Sequence, residues 1–265
     1  MRPDESYFFE VDLPVDFICD YFVPVSEIEM LEIHKTALDE AKVWIEQNYK
    51  PIGIIASGSI IRGNPNAKSD FDIYVIHDEE FRQRIQKYFN KVPCEIFINS
   101  IEQTRASFIK EQMENRPVTA HMLATGLVIK GEENNNVKSV LDEAKAYQNK
   151  PKDFNEHDLT LFKYGISIWL EDANDIAADD EVTCHYILGK VTDKIIEYWF
   201  FKNQRPLPRI KERFNIIKTA DGEFYGSICS LFNERNVKEK LKSLNVLVEK
   251  ELGVKGFFEW QTEKQ

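Results

Sequence analysis

Two aspartates separated by one residue, Asp70 and Asp72, form the pair in this sequence best suited to metal chemistry. They lie in the segment SDFDIYV at 69–75, where acidic and apolar residues alternate as in a strand. Residues i and i+2 of a strand point to the same face, so both carboxylates should project together. Carboxylate oxygens suit Mg²⁺, which binds substrate phosphates through one or two such ligands. The pattern predicts a magnesium site, with a solvated strand edge as the alternative.

A small polar turn, Ser57-Gly58-Ser59, follows an apolar run at 52–56 and precedes the aspartates. Glycine allows the backbone to approach a phosphate closely. Free amides at a helix start attract anions, and a serine hydroxyl adds a further donor. We therefore expect the turn to open a helix and to bind phosphate.

The turn and the aspartates together form the pattern G-S-x-x-R-G-x-x-x-x-x-S-D-x-D, read as Gly58, Ser59, Arg62, Gly63, Ser69, Asp70 and Asp72. This pattern resembles the signature of the DNA polymerase beta-like nucleotidyltransferase superfamily, especially its minimal and aminoglycoside nucleotidyltransferases. The clear resemblance covers about residues 52–98. It implies an α+β fold in which a mixed sheet with flanking helices is followed by an all-helical domain.

The resemblance also implies which residues bind the substrate and its metal ions. Gly58, Ser59, Arg62 and Ser69 would bind a nucleoside triphosphate, expected to be ATP. Asp70 and Asp72 would bind Mg²⁺, with two ions expected, and would be catalytic. Arg62 suits triphosphate as a forked donor. It could equally support the loop by pairing with an acid, and both roles stay open.

The superfamily usually supplies a third carboxylate from a later strand, and Glu95 fits that position. It is the only acid in the apolar run at 92–98. An isolated buried carboxylate is costly, so we expect Glu95 to have a cation partner. The resemblance implies that it is a catalytic residue, which completes the metal site or accepts the proton of the attacking hydroxyl. A position on the strand's wet face is the alternative, and Glu102 is the second candidate.

The elements expected around these residues form a sheet followed by helices. Strands are predicted at 52–56, 70–76, 94–98 and 126–130. Helices are predicted from Ser26 to Asn48, over the charged segment 78–90, at 159–176 and 182–201, and in a last helix that ends near Gly253. The boundary divides a nucleotidyltransferase domain at 1–135 from a helical acceptor-binding domain at 136–265. The acidic stretch 171–181 is either an acceptor wall or a solvated helix end.

The net charge of −11 argues against nucleic-acid partners, which are bound through clustered Lys and Arg. Four scattered cysteines fit thiols in a reducing compartment. No uncharged apolar run approaches the roughly 20 residues of a membrane span. We expect a cytoplasmic protein without a membrane partner, and a homodimer is left open.

The resemblance implies transfer of a nucleoside monophosphate to an acceptor hydroxyl, expected on a small molecule such as an aminoglycoside-like compound. Two alternatives stay open. The acceptor could be a protein, in an AMPylation reaction, or the chain could be a nucleotide-binding regulator without catalysis.

Overall fold

The computed structural model describes residues 30–63, 65, 69–254 and 256–262. The elements in these residues are α1 (Glu32–Asn48), β1 (Gly53–Ser57), β2 (Phe71–His77), β3 (Gln83–Phe89), β4 (Val92–Ser100), α2 (Ile101–Met113), α3 (Val118–Ala124), β5 (Leu127–Lys130), α4 (Asn135–Gln148), α5 (Glu156–Ile176), α6 (Glu181–Lys202), α7 (Ile210–Ala220), α8 (Gly222–Asn233) and α9 (Val237–Leu252). The predicted sheet followed by helices is confirmed.

The chain divides into two compact units, and each unit combines two separate segments of the sequence. The sheet unit comprises Met1–Gln103 and Met122–Asp142, and the helical unit comprises Thr104–His121 and Glu143–Gln265. Residues 104–121 therefore group with the later helices. The boundary at residue 135 stays a prediction about domains.

The sheet has five strands in the order β3-β4-β2-β1-β5. β2 and β4 run parallel, and the other neighbouring strands are antiparallel. Alternate residues of β2, Phe71, Ile73 and Val75, are buried in one cluster with Ala41 and Ile45 of α1. Their burial confirms the predicted alternation of β2, so the intervening positions belong to the opposite face of the sheet.

The charged segment at 78–90 was predicted as a helix, and this prediction is wrong. Gln83–Phe89 forms strand β3, antiparallel to β4, with Phe89 opposite Val92. Asn90 and Lys91 make the two-residue turn of this hairpin and both have positive φ, 42° and 66°, as the tightest hairpin turns require. The Asn90 N–H donates to Glu40 Oε2 of α1 at 2.8 Å, which anchors the turn. Tertiary pairing here outweighs the local preference of the charged residues.

The structure also revises the start of the first helix. The first four residues of the predicted helix, 26–29, lie outside the described residues, and α1 begins at Glu32 with an extended Leu31 as its N-cap. Leu31 is exposed. The predicted end near Asn48 is confirmed.

The helical unit is built around α6, which is apolar on several faces and contributes Ile195, Trp199 and Phe200 to one large core. A helix buried on most sides belongs at the centre of its unit. The predicted end of α9 is confirmed, because Gly253 takes the left-handed conformation with φ 69°. Among the residues that the structure describes, no helix offers the apolar length that a bilayer crossing requires.

The Asp221 side chain joins two elements of this core. Its Oδ1 accepts from the Phe224 N–H at 2.9 Å and caps α8, while Oδ2 accepts from the indole N–H of buried Trp199 at 3.0 Å. We expect Asp221→Ala to lower the free energy of unfolding by about 2–4 kcal/mol, because it removes a cap and orphans a buried donor. Asn236→Ala removes only the cap of α9 and should cost about 1 kcal/mol. Equal losses in urea unfolding would contradict this account.

Candidate functional site

Asp72 lies at the centre of the site, because both neighbouring strands place a polar residue opposite it. Ser57 at the end of β1 pairs with Asp72, and Glu95 of β4 pairs with it on the other side. Directly paired residues share a face of the sheet, so the two carboxylates and the Ser57 hydroxyl lie on the face opposite α1. Asp70 is exposed and immediately precedes β2. The structure thus brings Asp72 and Glu95 onto neighbouring strands at one end of the sheet.

The Gly58 turn is packed against the same strand end. Gly58 has φ 106°, and a Cβ built there would lie 2.9 Å from the Asp70 carbonyl oxygen and 3.7 Å from Asp72 Oδ2. Only glycine combines this backbone conformation with so close an approach. The Arg62 N–H donates to the Gly58 carbonyl at 3.2 Å, and residues 59–63 form turns. The predicted helix start is therefore wrong, since the chain leaves the turn as a loop.

A hydroxyl pair joins the two halves of the sequence motif. Ser59 Oγ donates to Ser69 Oγ at 2.9 Å, so the turn after β1 is tied to the residue that precedes Asp70. Gly58, Ser59 and Ser69 therefore come together around the start of β2, as a phosphate-binding loop requires. Their role in binding nucleotide stays a prediction.

Glu95 has the cation partner that the sequence predicted, and that partner is Arg84 of β3. Arg84 Nε donates to Glu95 Oε1 at 2.5 Å, and Gln86 Nε2 donates to the same oxygen at 3.1 Å. The bond from Arg84 is the main reason that the pKa of Glu95 is lowered, and Gln86 adds to it. Arg84 and Gln86 were missed because their segment was assigned to a helix. The only local signal for a strand was the pair of apolar residues Ile85 and Phe89, and it was too weak to exclude a helix.

The lowered pKa of Glu95 predicts how this pair responds to acid. The folded pKa lies below the unfolded value of about 4.3, so the stabilisation is complete above that value. It is lost as the pH falls through the folded pKa. We expect Glu95→Gln to flatten the acid side of a plot of the free energy of unfolding against pH. An acid dependence as steep as that of the wild type would contradict the prediction.

The residues around Asp72 offer oxygen ligands of the kind that Mg²⁺ prefers. Within the described residues, no group of three or more His, Cys, Asp or Glu side chains is arranged to hold a metal. Ser57 Oγ is buried without a hydrogen-bond partner in that part of the chain, on the Asp72 face. One or two carboxylates with an adjacent hydroxyl fit a hydrated magnesium ion. Metal binding by Asp70, Asp72 and Glu95 stays a prediction, and Glu95 Oε1 already accepts hydrogen bonds from Arg84 and Gln86.

Neither the nearby Cys94 nor Glu102, the second candidate for the third carboxylate, takes part in this arrangement. Cys94 is buried on the opposite face, and burial raises its pKa to about 12, with the charge of Asp70 adding to the rise. Its thiol is therefore no nucleophile at neutral pH. Glu102 lies in the first turn of α2, beyond the strand that pairs with Asp72.

The acidic stretch at 171–181 contains two carboxylates that already have structural roles. Glu171 Oε1 accepts from the Phe257 N–H at 2.7 Å. Asp180 caps α6 by accepting from the Thr183 N–H at 2.9 Å. These bonds favour the solvated helix end over the acceptor wall.

Comparison with known proteins concerns the family and the fold of the chain. Residues 38–147 match the family model of the nucleotidyltransferase domain. The crystal structure of a nucleotidyltransferase-like protein from Exiguobacterium sibiricum is similar in fold, with a TM-score of 0.50 and 11% sequence identity over 83% of this chain and 74% of the other. At that identity the likeness concerns the fold alone. No curated protein sequence matches the chain.

Proposed function

Since residues 38–147 form a nucleotidyltransferase domain of the DNA polymerase beta-like superfamily, we propose that this protein transfers a nucleoside monophosphate from a triphosphate to the hydroxyl of a small-molecule acceptor. One observation carries the proposal beyond the family match. Asp72 pairs in register with Ser57 and Glu95, while the Gly58 turn packs against Asp70 and Asp72. The start of β2 therefore has both carboxylates that could bind a metal and a tight backbone turn that could bind phosphate.

In the proposed reaction the acceptor oxygen attacks the α-phosphorus, and the bond to the β-phosphate breaks as pyrophosphate leaves. Mg²⁺, when bound, supplies positive charge to the phosphates. Asp70 and Asp72 bind the ion, and the Gly58-Ser59 turn donates backbone and hydroxyl hydrogens to phosphate oxygens. The rate comes mainly from positioning and from fixed electrostatics.

Glu95 fits the metal-binding role better than the role of proton acceptor. Its pKa is lowered in the free protein by the hydrogen bond from Arg84. A metal ion that replaced Arg84 would favour the charged carboxylate in the same way, and a lower pKa makes a carboxylate a weaker base. In this scheme the acceptor proton passes to water, and Glu95 helps to bind the ion.

The net charge of −11 favours a cationic acceptor such as an aminoglycoside-like compound over a polyanion. A protein hydroxyl is the alternative acceptor. One observation favours a second candidate function, a nucleotide-binding regulator. Glu95 already has Arg84 as its partner, which would suit a domain that binds nucleotide without turning it over. We further propose a cytoplasmic location and expect binding to duplex DNA or tRNA to be weaker than micromolar at physiological salt.

A screen of labelled nucleoside triphosphates against pooled acceptors tests the proposal. With Mg²⁺ we expect a labelled acceptor and matching release of pyrophosphate, with ATP as the best donor. Calorimetry should show triphosphate binding that weakens strongly when the metal is removed. Equal affinity with and without Mg²⁺ would contradict metal-dependent transfer. Metal-dependent binding without any labelled acceptor would favour the regulator.

A further inference from the structure

Arg84, Gln86 and Glu95 line an open hollow of about 370 Å³ on the site face of the sheet. The hollow adjoins Asp72, which pairs in register with Glu95. A volume of this size holds several hydrated groups. A ligand that enters the hollow would therefore contact the guanidinium of Arg84.

The two partners of the Arg84–Glu95 pair differ in how firmly they are held. The Glu95 side chain is 16% exposed, whereas the Arg84 side chain is 65% exposed. The guanidinium lies over the Phe97 ring, 4.9 Å from its centroid, so it reaches Glu95 from the solvent side. An ion pair with one partner so exposed changes an equilibrium constant by about fivefold or less. Arg84 can thus leave Glu95 without disturbing the core.

Arg84 also responds to the second carboxylate of the site. Its pKa is raised chiefly by the hydrogen bond to Glu95, and the charge of Asp72 contributes as well. The guanidinium therefore lies within the electrostatic reach of residues on both β2 and β4. A divalent ion placed between these carboxylates would compete with it directly, because it carries twice the charge.

We propose that Arg84 is the resident counter-ion of the Asp72–Glu95 pair, and that it exchanges Glu95 for the phosphate oxygens of an incoming nucleotide when the metal binds. The inference rests on the proposed function, since it needs a metal and a phosphate at the same place. The forked guanidinium matches phosphate oxygens in bidentate geometry. Arg84 thus orients Glu95 in the free protein and contacts the nucleotide in the complex.

Calorimetry with Mn²⁺ alone tests the first half of the exchange. We expect Arg84→Gln to bind Mn²⁺ about threefold to fivefold more tightly than the wild type, because the competing cation is gone. Arg84→Lys keeps the charge and should bind Mn²⁺ like the wild type. Arg82→Gln is the matched control, since it removes the same charge from an exposed residue just before β3, and its Mn²⁺ affinity should stay unchanged.

Titration of ATP in the presence of saturating Mn²⁺ tests the second half. Arg84→Gln should weaken ATP binding about tenfold or more, and Arg84→Lys should recover part of the loss, because it keeps the charge without the fork. A merely structural arginine would not produce opposite changes in the two affinities. Mn²⁺ affinity that stays unchanged or falls in Arg84→Gln overturns the proposal, as does unchanged ATP affinity. If both shifts appear while the wild type releases no pyrophosphate with any acceptor, the exchange stands and the proposed transfer fails.

Discussion

Asp72→Asn is expected to lower turnover by about a hundredfold or more, the size of effect seen when a key electrostatic group is removed from an active site. The substitution keeps the volume of the side chain but removes a negative charge from the proposed magnesium site. The loss should appear in kcat, because that charge holds the ion which neutralises the leaving pyrophosphate. The measurement is pyrophosphate release by both proteins with the acceptor found in the screen.

Two comparisons distinguish an effect of the lost charge on catalysis from an effect of the substitution on folding. The unfolding temperature of Asp72→Asn should stay near that of the wild type, since Asp72 is only half-buried and the substitution is isosteric. Asp78→Asn removes an exposed charge just after β2 and should keep wild-type turnover. Full activity in Asp72→Asn would rule out the proposed mechanism.

Gly58→Ala is expected to weaken nucleotide binding and to lower the free energy of unfolding by about 1–3 kcal/mol, the cost of one strained backbone position. The added methyl group is unfavourable for two reasons, the backbone conformation of residue 58 and a steric clash. Gly58 has φ 106°, and the new Cβ would lie 2.9 Å from the backbone oxygen of Asp70. Because that oxygen belongs to the main chain, relief of the clash must move the start of β2. Urea unfolding and triphosphate calorimetry measure the two effects.

Gly63→Ala is the matched control for this clash. Gly63 also has positive φ, 74°, but among the described residues no atom lies within 4 Å of its added Cβ. It should show only the conformational part of the cost, about 1 kcal/mol. If both variants lose the same stability and the same triphosphate affinity, the close approach of the Gly58 turn to Asp70 has no role in the site.

The central strands and the acids they carry could be predicted from the sequence, because Asp70 and Asp72 alternate with apolar residues and Glu95 is the only acid in the apolar run at 92–98. Phe71 and Ile73 are buried as that alternation requires, and Asp72 and Glu95 then share the other face. In the last helix Leu241, Leu244, Val248 and Leu252 recur at helical spacing and are buried for the same kind of reason. A regular period leaves a helix or a strand only one way to bury its apolar side.

Arg84 could not be placed from the sequence, because its strand β3 forms through pairing with β4 and not through its own local preference. Four of the seven residues of Gln83–Phe89 are polar or charged, so its composition alone favours a helix. The pairing with β4 and the turn at Asn90 and Lys91 decide otherwise. The partner of Glu95 therefore depends on a tertiary contact that no local pattern contains.

The position of β3 at one edge of the sheet has a consequence for how copies of this chain meet in solution. An edge strand presents a row of backbone donors and acceptors that can recruit a strand from another molecule and seed aggregation. Arg84 and Lys87 place positive charges along that edge, and charge at an edge is the usual protection against such pairing. The polar composition of β3 makes its sequence resemble that of a helix. The same composition also protects the sheets of two molecules from pairing through this edge.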